Sequence, residues 1–365
     1  MKVVCDKNEF QKFIISAERN SSKNNSLPIL STILIKSGKN KLNIISTNLE
    51  VGFEAHISAV VEKDGSAAVP AKVLLPLLSS INDDKLNLES SGNTLKLFSK
   101  NSSSNLKCLS AEDFPILPRV KKDESFQIQA PELISALKNT LPATSNSHTK
   151  PELSSVYLFS QLKSPLTFIA TDSFRLAENK VDVNTRPIGI LIPQKSSQEI
   201  IRCFEDEDGL VDINFNKNQI SLESKNIYFI SRLTEGNFPD YQAILPKSFL
   251  TQVVADRSQL INSIKAASVF SSRLSEVILS INPKASILEA RASYSDTGEH
   301  QSFAQVKTSG EPVQATFNYH YLLDALHTIT HQKVFLGFNG EAKAVLLRGH
   351  EDTRYLHLVM PMKGV

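Results

Sequence analysis

The 365-residue sequence has no apolar run long enough to cross a membrane as a helix, so no membrane partner is expected. Its opening, MKVVCDKNEF, turns charged within six residues, unlike a secretory leader. Cysteine is scarce. Cys5, Cys108 and Cys203 are odd in number, far apart and without CxxC spacing, which excludes a disulfide framework and points to reduced thiols in a cytoplasmic protein. Charge of one sign is missing too: 40 basic residues face 38 acidic ones. Bulk electrostatic capture of nucleic acid needs a dense basic face, and none is present. Enzyme signatures are equally absent, with no GxGxxG, Walker loop, GxSxG or zinc-ligand spacing. No catalysis, cofactor or metal is expected.

What the sequence does contain is a threefold repeat. An extended stretch, a polar turn and an amphipathic helix recur at Val3–Ile14, Phe126–Leu137 and Val253–Ile264, and their aligned apolar residues Phe10, Leu133 and Leu260 fall 123 and 127 residues apart. LNIISTNLE, from Leu42, is echoed by LTFIATDSF, from Leu166, at an offset of 124. VPAKVLLPLL, IPQKSSQEII and FNYHYLLDAL start at Val69, Ile192 and Phe317, offsets of 123 and 125. A closing element places Pro115, Pro239 and Pro361 at spacings of 124 and 122. Between these landmarks, period-two alternation such as Leu86-Asn87-Leu88-Glu89 indicates half-buried antiparallel strands.

Each unit therefore reads as two helices and roughly eight strands, an α+β layer arrangement. The domains are expected at 1–121, 122–247 and 248–365, and the helices at 8–19, 71–81, 131–141, 193–204, 257–267 and 318–329. Three similar units joined head to tail either close into a ring or continue as a filament. Those helices carry eight basic residues (Lys12, Arg19, Lys72, Lys138, Lys195, Arg202, Arg257, Lys265) against five acidic ones (Glu9, Glu18, Glu132, Glu199, Asp324). So slight a lean suits weak phosphate contacts that position without reading bases.

Ser26-Leu27-Pro28-Ile29-Leu30, ATDSFRLA (170–177), GNFPDYQAILPK (236–247), FNYHYLLDAL and the ending VMPMKGV resemble the β subunit family of bacterial DNA polymerase III, the β sliding clamps, along the whole chain and in order. The resemblance implies a DNA clamp fold of three similar domains, each with two helices packed on curled antiparallel sheets, forming half of a six-domain ring. It implies a head-to-tail homodimer around duplex DNA, without sequence specificity. It also implies a pocket between domains 2 and 3 for short linear motifs of the polymerase III catalytic subunit, the clamp loader, other polymerases and repair proteins.

Carried onto this chain, the pocket comprises Thr171, Ser173, Phe174, Arg175 and Leu176, then Pro239 and Ile244, Asn318 and Tyr321, and Leu358, Val359, Met360, Pro361 and Met362. DNA contact is assigned to Lys12, Lys23, Lys72, Lys138, His148, Lys150, Lys195, Arg202 and Lys265. The subunit seam is assigned to Leu106 and Lys107 on one side and Val269 and Phe270 on the other. The chain departs from the family pattern at Ser173-Phe174, where Gly and His are common, and at Ala243, Ser154 and Ser104.

Plainer readings stand beside these. Met360-Pro361-Met362 also fits the end of a last strand, and Tyr321 a core position. Asp172 fits a turn cap better than an acid–base role. His320, His327 and His331 share one helical face in sequence, but no Cys or Glu completes a metal set. A three-repeat binding scaffold unrelated to DNA is the alternative function.

Overall fold

The computed structural model describes residues 1–23, 27–120, 124–147 and 149–362. These residues form six helices and 25 strands, and every strand ladder is antiparallel. Helices α1 (Lys7–Asn20), α2 (Ala71–Ser79), α3 (Ala130–Thr140), α4 (Gln194–Phe204), α5 (Arg257–Ser268) and α6 (Tyr319–Thr328) lie where the periodicity places them. Three of their starts are fixed by side-chain caps, each satisfying an amide that the first turn leaves unbonded. Asp6 accepts from the Glu9 amide at 2.8 Å, Asp256 from Gln259 at 3.0 Å and Asn318 from His320 at 2.9 Å. The aligned residues Phe10, Leu133 and Leu260 are all buried. Among the described residues no helix is long and apolar enough to cross a membrane.

The chain forms two compact units. The first, residues 1–134 with 195–234, holds a 12-stranded sheet. Its central strand, Val51–Lys63, serves two neighbours in turn. Val51 to Ala55 pair with Ser231 to Ile227, and Ala59 to Lys63 pair with Cys5 to Lys2. Helix α1 packs on α2 and on the sheet, seating the fully buried Phe10 and Ile14. Burying side chains of that size contributes about 1.5–3 kcal/mol each.

The second unit, residues 135–194 with 235–365, contains a nine-stranded and a four-stranded sheet. The strand Arg175–Val181 joins Tyr355–Val359, with Arg175 opposite Val359 and Asn179 opposite Tyr355. Helix α5 packs on α6 over a core that includes Leu260, Phe317 and Leu326.

One rule links the repeats. The fourth strand of the first repeat, Val51–Lys63, pairs with the last strand of the second, Ile227–Arg232. The fourth strand of the second, Arg175–Val181, pairs with the last strand of the third, Tyr355–Val359. Two members of the pattern lie at sheet ends: Gly298–Gln305, the fourth strand of the third repeat, and Ser103–Lys107, the last of the first.

Candidate functional site

The segment Thr171 to Arg175 turns between two buried strands, and its side chains bond the backbone that a tight turn leaves free. The Thr171 hydroxyl donates to the Arg175 carbonyl at 2.6 Å, and Asp172 accepts from the amides of Phe174 and Arg175, both at 2.9 Å. Asp172 is thus a turn cap. Ser173 sits at φ +77°, in the left-handed region that glycine favours. The turn holds Phe174 outward, 62% exposed.

Arg175 is only 12% exposed at its side chain. Its Nε donates to Asp172 at 3.1 Å, its Nη1 to Asp324 of α6, and its guanidinium lies 4.3 Å from the Tyr321 ring centre. Helix and turn are therefore cross-linked through one cation. The tail closes the arrangement. The Met360 amide donates to the Phe174 carbonyl and the Met362 amide to the Thr316 carbonyl, both at 2.8 Å. The tail is thereby tied at Met360 to the turn that carries Arg175 and at Met362 to the strand leading into α6, with Asn318 capping the helix that presents Tyr321.

The remaining residues assigned to this site from sequence lie deeper or on a neighbouring loop. Leu176 and Leu358 are buried in one apolar cluster with Tyr241, and Val359 is buried in the core under α5 and α6. Pro239 and Ile244 are exposed on the loop that carries Tyr241. Beneath Arg175 lies His357, fully buried, its Nδ1 3.0 Å from the Tyr355 hydroxyl and its Nε2 without a partner. Burial, with Arg175 adding to it, pulls the His357 imidazole down to about 3, so it is neutral at physiological pH. On the neighbouring strand Arg175–Val181, Glu178 is buried, pairs with Lys180 at 2.9 Å and bonds the Tyr241 hydroxyl, anchoring the loop. Asp324 as an Arg175 partner, Glu178 and His357 were not assigned to the site from sequence. One signal for Asp324 was available: it lies five residues into α6, as Glu199 lies five residues into α4.

The first unit repeats this turn bond for bond. Thr47 donates to the Val51 carbonyl at 2.7 Å, Asn48 accepts from Glu50 and Val51 at 2.9 and 2.8 Å, and Leu49 takes φ +74°. The Arg232 amide donates to the Glu50 carbonyl at 2.9 Å, as Met360 does to Phe174. This corrects one sequence landmark. Met360 corresponds to Arg232, so Pro361 is not the counterpart of Pro239, and the near-regular spacing of the three prolines does not reflect equivalent positions in the third repeat. A cleft of about 250 Å³ opens at this turn, lined by Leu49, Val51, Gly52, Leu117 and Ile230 among others.

The residues assigned to DNA are exposed where described: Lys12, Lys23, Lys72, Lys138, Lys150, Lys195, Arg202 and Lys265. Lys12 pairs with Asp206 at 3.0 Å and Arg202 with Glu199. His148 lies outside the described residues. At the expected seam Leu106 is buried, Lys107 exposed, Val269 69% exposed and Phe270 stacked on His300. The histidine face expected from sequence is not formed: α6 ends at Thr328, and His331 lies beyond it, 3.8 Å from Asp352. Burial pushes the thiols of Cys5 and Cys203 up to about 12, leaving them unreactive.

Comparison with known proteins agrees with this architecture. The models for the N-terminal, central and C-terminal domains of the DNA polymerase III beta subunit match residues 1–118, 127–240 and 242–363. The beta sliding clamp of Synechococcus elongatus is 27% identical over 373 residues, covering 100% of this chain and 99% of that one. The beta sliding clamp of Bacillus subtilis is 26% identical over 378 residues, covering all of both. The crystal structure of the DNA polymerase sliding clamp from Bacillus subtilis matches at a TM-score of 0.93, with 25% identity and full coverage of both chains. The Pseudomonas aeruginosa clamp bound to griselimycin shares the fold at a TM-score of 0.94, with 24% identity and full coverage of both. With three consecutive domain models matched in order along nearly its full length, this chain belongs to the DNA polymerase III beta subunit family.

Proposed function

We propose that this chain is a DNA sliding clamp and processivity factor, a non-catalytic accessory subunit that rings duplex DNA and tethers the replicative polymerase. The observation that carries the reading is the strand rule of the fold. The fourth strands of the first two repeats are each completed by the last strand of the following repeat, and Gly298–Gln305 and Ser103–Lys107 are the two members that end their sheets. Exposed edges of this kind invite pairing with another chain. A second copy, placed head to tail, satisfies both by the same rule, and two such contacts close a ring of six domains. The seam then includes Leu106 and Lys107 of one copy and Val269 and Phe270 of the other. Domain limits at 1–121, 122–247 and 248–365 give each copy three repeats, and the working compartment is the cytoplasm.

Processivity follows from topology. Leaving the DNA requires breaking a seam, so individual contacts from Lys12, Lys72, Lys138, Lys195, Arg202 and Lys265 need only be weak. The surface around Phe174, Arg175, Tyr321 and Met360 supplies what a short linear motif needs: exposed apolar side chains, methionines that adapt to varied ligands, and a fixed polar group. Polymerase, clamp loader and repair proteins take turns there. The test is loading onto nicked circular DNA. The protein should stay bound to circles and run off once they are cut, whereas retention on linear DNA would refute topological binding.

A further inference from the structure

We infer that Asp324 is a positioning residue for the partner-binding surface and that, together with Asp172, it makes that surface select peptides by charge. The inference rests on the reading of this surface as the peptide site. One cation, Arg175, faces two carboxylates, one from its own turn and one from α6. The buried neighbour behind it, His357, is neutral and adds no second positive charge. The local balance is therefore one negative charge. Asp324 is 41% exposed at its side chain, so this charge reaches the surface a ligand would cover.

A guanidinium already bonded to both carboxylates and stacked on Tyr321 is a poor receptor for a third anion. A peptide carboxylate laid over Arg175 would meet two like charges. An amide, a hydroxyl or a cation would not. The ligand class is thus an extended peptide that is neutral or basic at the residue covering Arg175. The equivalent turn in the first unit is an internal comparison. Val51 stands at the place of Arg175, and Glu199, at the α4 position matching Asp324, pairs within its own helix with Arg202. The cross-link between turn and helix belongs to the second unit's turn alone of these two.

The experiment uses the full chain and a nonapeptide copied from the C-terminus of the cognate polymerase catalytic subunit, with Asp, Gln or Lys placed at successive positions. Affinities are measured for the native chain, Asp324→Asn and Asp324→Ala. At one position the Asp peptide should bind the native chain about tenfold more weakly than the Gln peptide. Asp324→Asn should shrink that ratio to about threefold or less, with the Gln peptide as the reference within each variant. Asp324→Ala should weaken the Gln peptide as well, because Arg175 loses its hold on α6. An equal effect of Asp324→Asn on every peptide, with a lowered unfolding temperature, would mean a purely structural role and overturn the inference. An Asp penalty unchanged by Asp324→Asn would overturn it too. Binding of all peptides without charge preference sinks this inference alone. Failure of the native chain to bind any of them sinks the peptide-site reading with it.

Discussion

The Met360 amide donates to the carbonyl of Phe174 at 2.8 Å, so the chain's tail is stitched to the tip of the turn that exposes Phe174. Ending the chain at Val359 removes this bond, the Met362–Thr316 bond and the exposed Met360 side chain. Partner-peptide affinity should fall more than about tenfold, because an apolar anchor at the centre of a small interface dominates its energy. The two lost backbone bonds cost only about 1 kcal/mol each, so the dimer should survive. Titration calorimetry and solution mass check both halves. Collapse of the fold would show the tail to be core.

Gly52 is where a side chain cannot be added freely. A Cβ there would lie 2.7 Å from Leu117 Cδ2 and 2.9 Å from Ile230 Cγ2. Gly52→Ala should destabilise the protein by about 1–3 kcal/mol in urea unfolding. Combined with Leu117→Ala, the loss should be less than the sum of the two, by about 1 kcal/mol. Strict additivity would refute the contact.

His357 predicts an acid-side loss of stability. Its folded value of about 3 lies below its ordinary 6.5, so the unfolded chain takes up the proton first. The stabilisation is full above pH 6.5 and is lost progressively as pH falls from 6.5 toward 3. His357→Leu should remove most of the fall in unfolding free energy between pH 6.5 and 5, roughly 2 kcal/mol at one proton per transition. Parallel pH profiles for both proteins would show that another group is responsible.

Val269 is 69% exposed, so Val269→Asp should cost the single chain under about 0.5 kcal/mol. At the proposed seam the same change buries an unpaired charge. Light scattering should show the dimer replaced by monomer while the melting profile of the monomer is retained. An unaltered dimer would place the seam elsewhere.

Much of this architecture was legible because its signals are local. Helix periodicity and the capping residues Asp6, Asp256 and Asn318 fix the helices, and alternation fixes the strands. The turn at 171–175 was legible as a copy of 47–51 because both use a Thr followed by Asp or Asn. The pairing of Arg175–Val181 with Tyr355–Val359 joins residues nearly 180 positions apart, and no local pattern announces it. A separation of 149 positions from Arg175 hid Asp324, which in sequence is one acid on a helix. Burial hid His357, whose neutrality depends on surroundings that only folding supplies. The third repeat misled at Pro361, where similar spacing was not equivalent position.

The duplicated turn makes the protein its own calibrant. Thr47 and Thr171 make the same bond in the same setting, one at a junction without Arg175 and one beside it. Thr47→Ala reads out what the scaffold alone loses when the hydroxyl goes. Any additional deficit in Thr171→Ala is the share owed to recognition, obtained by subtraction within a single polypeptide and without recourse to a second protein.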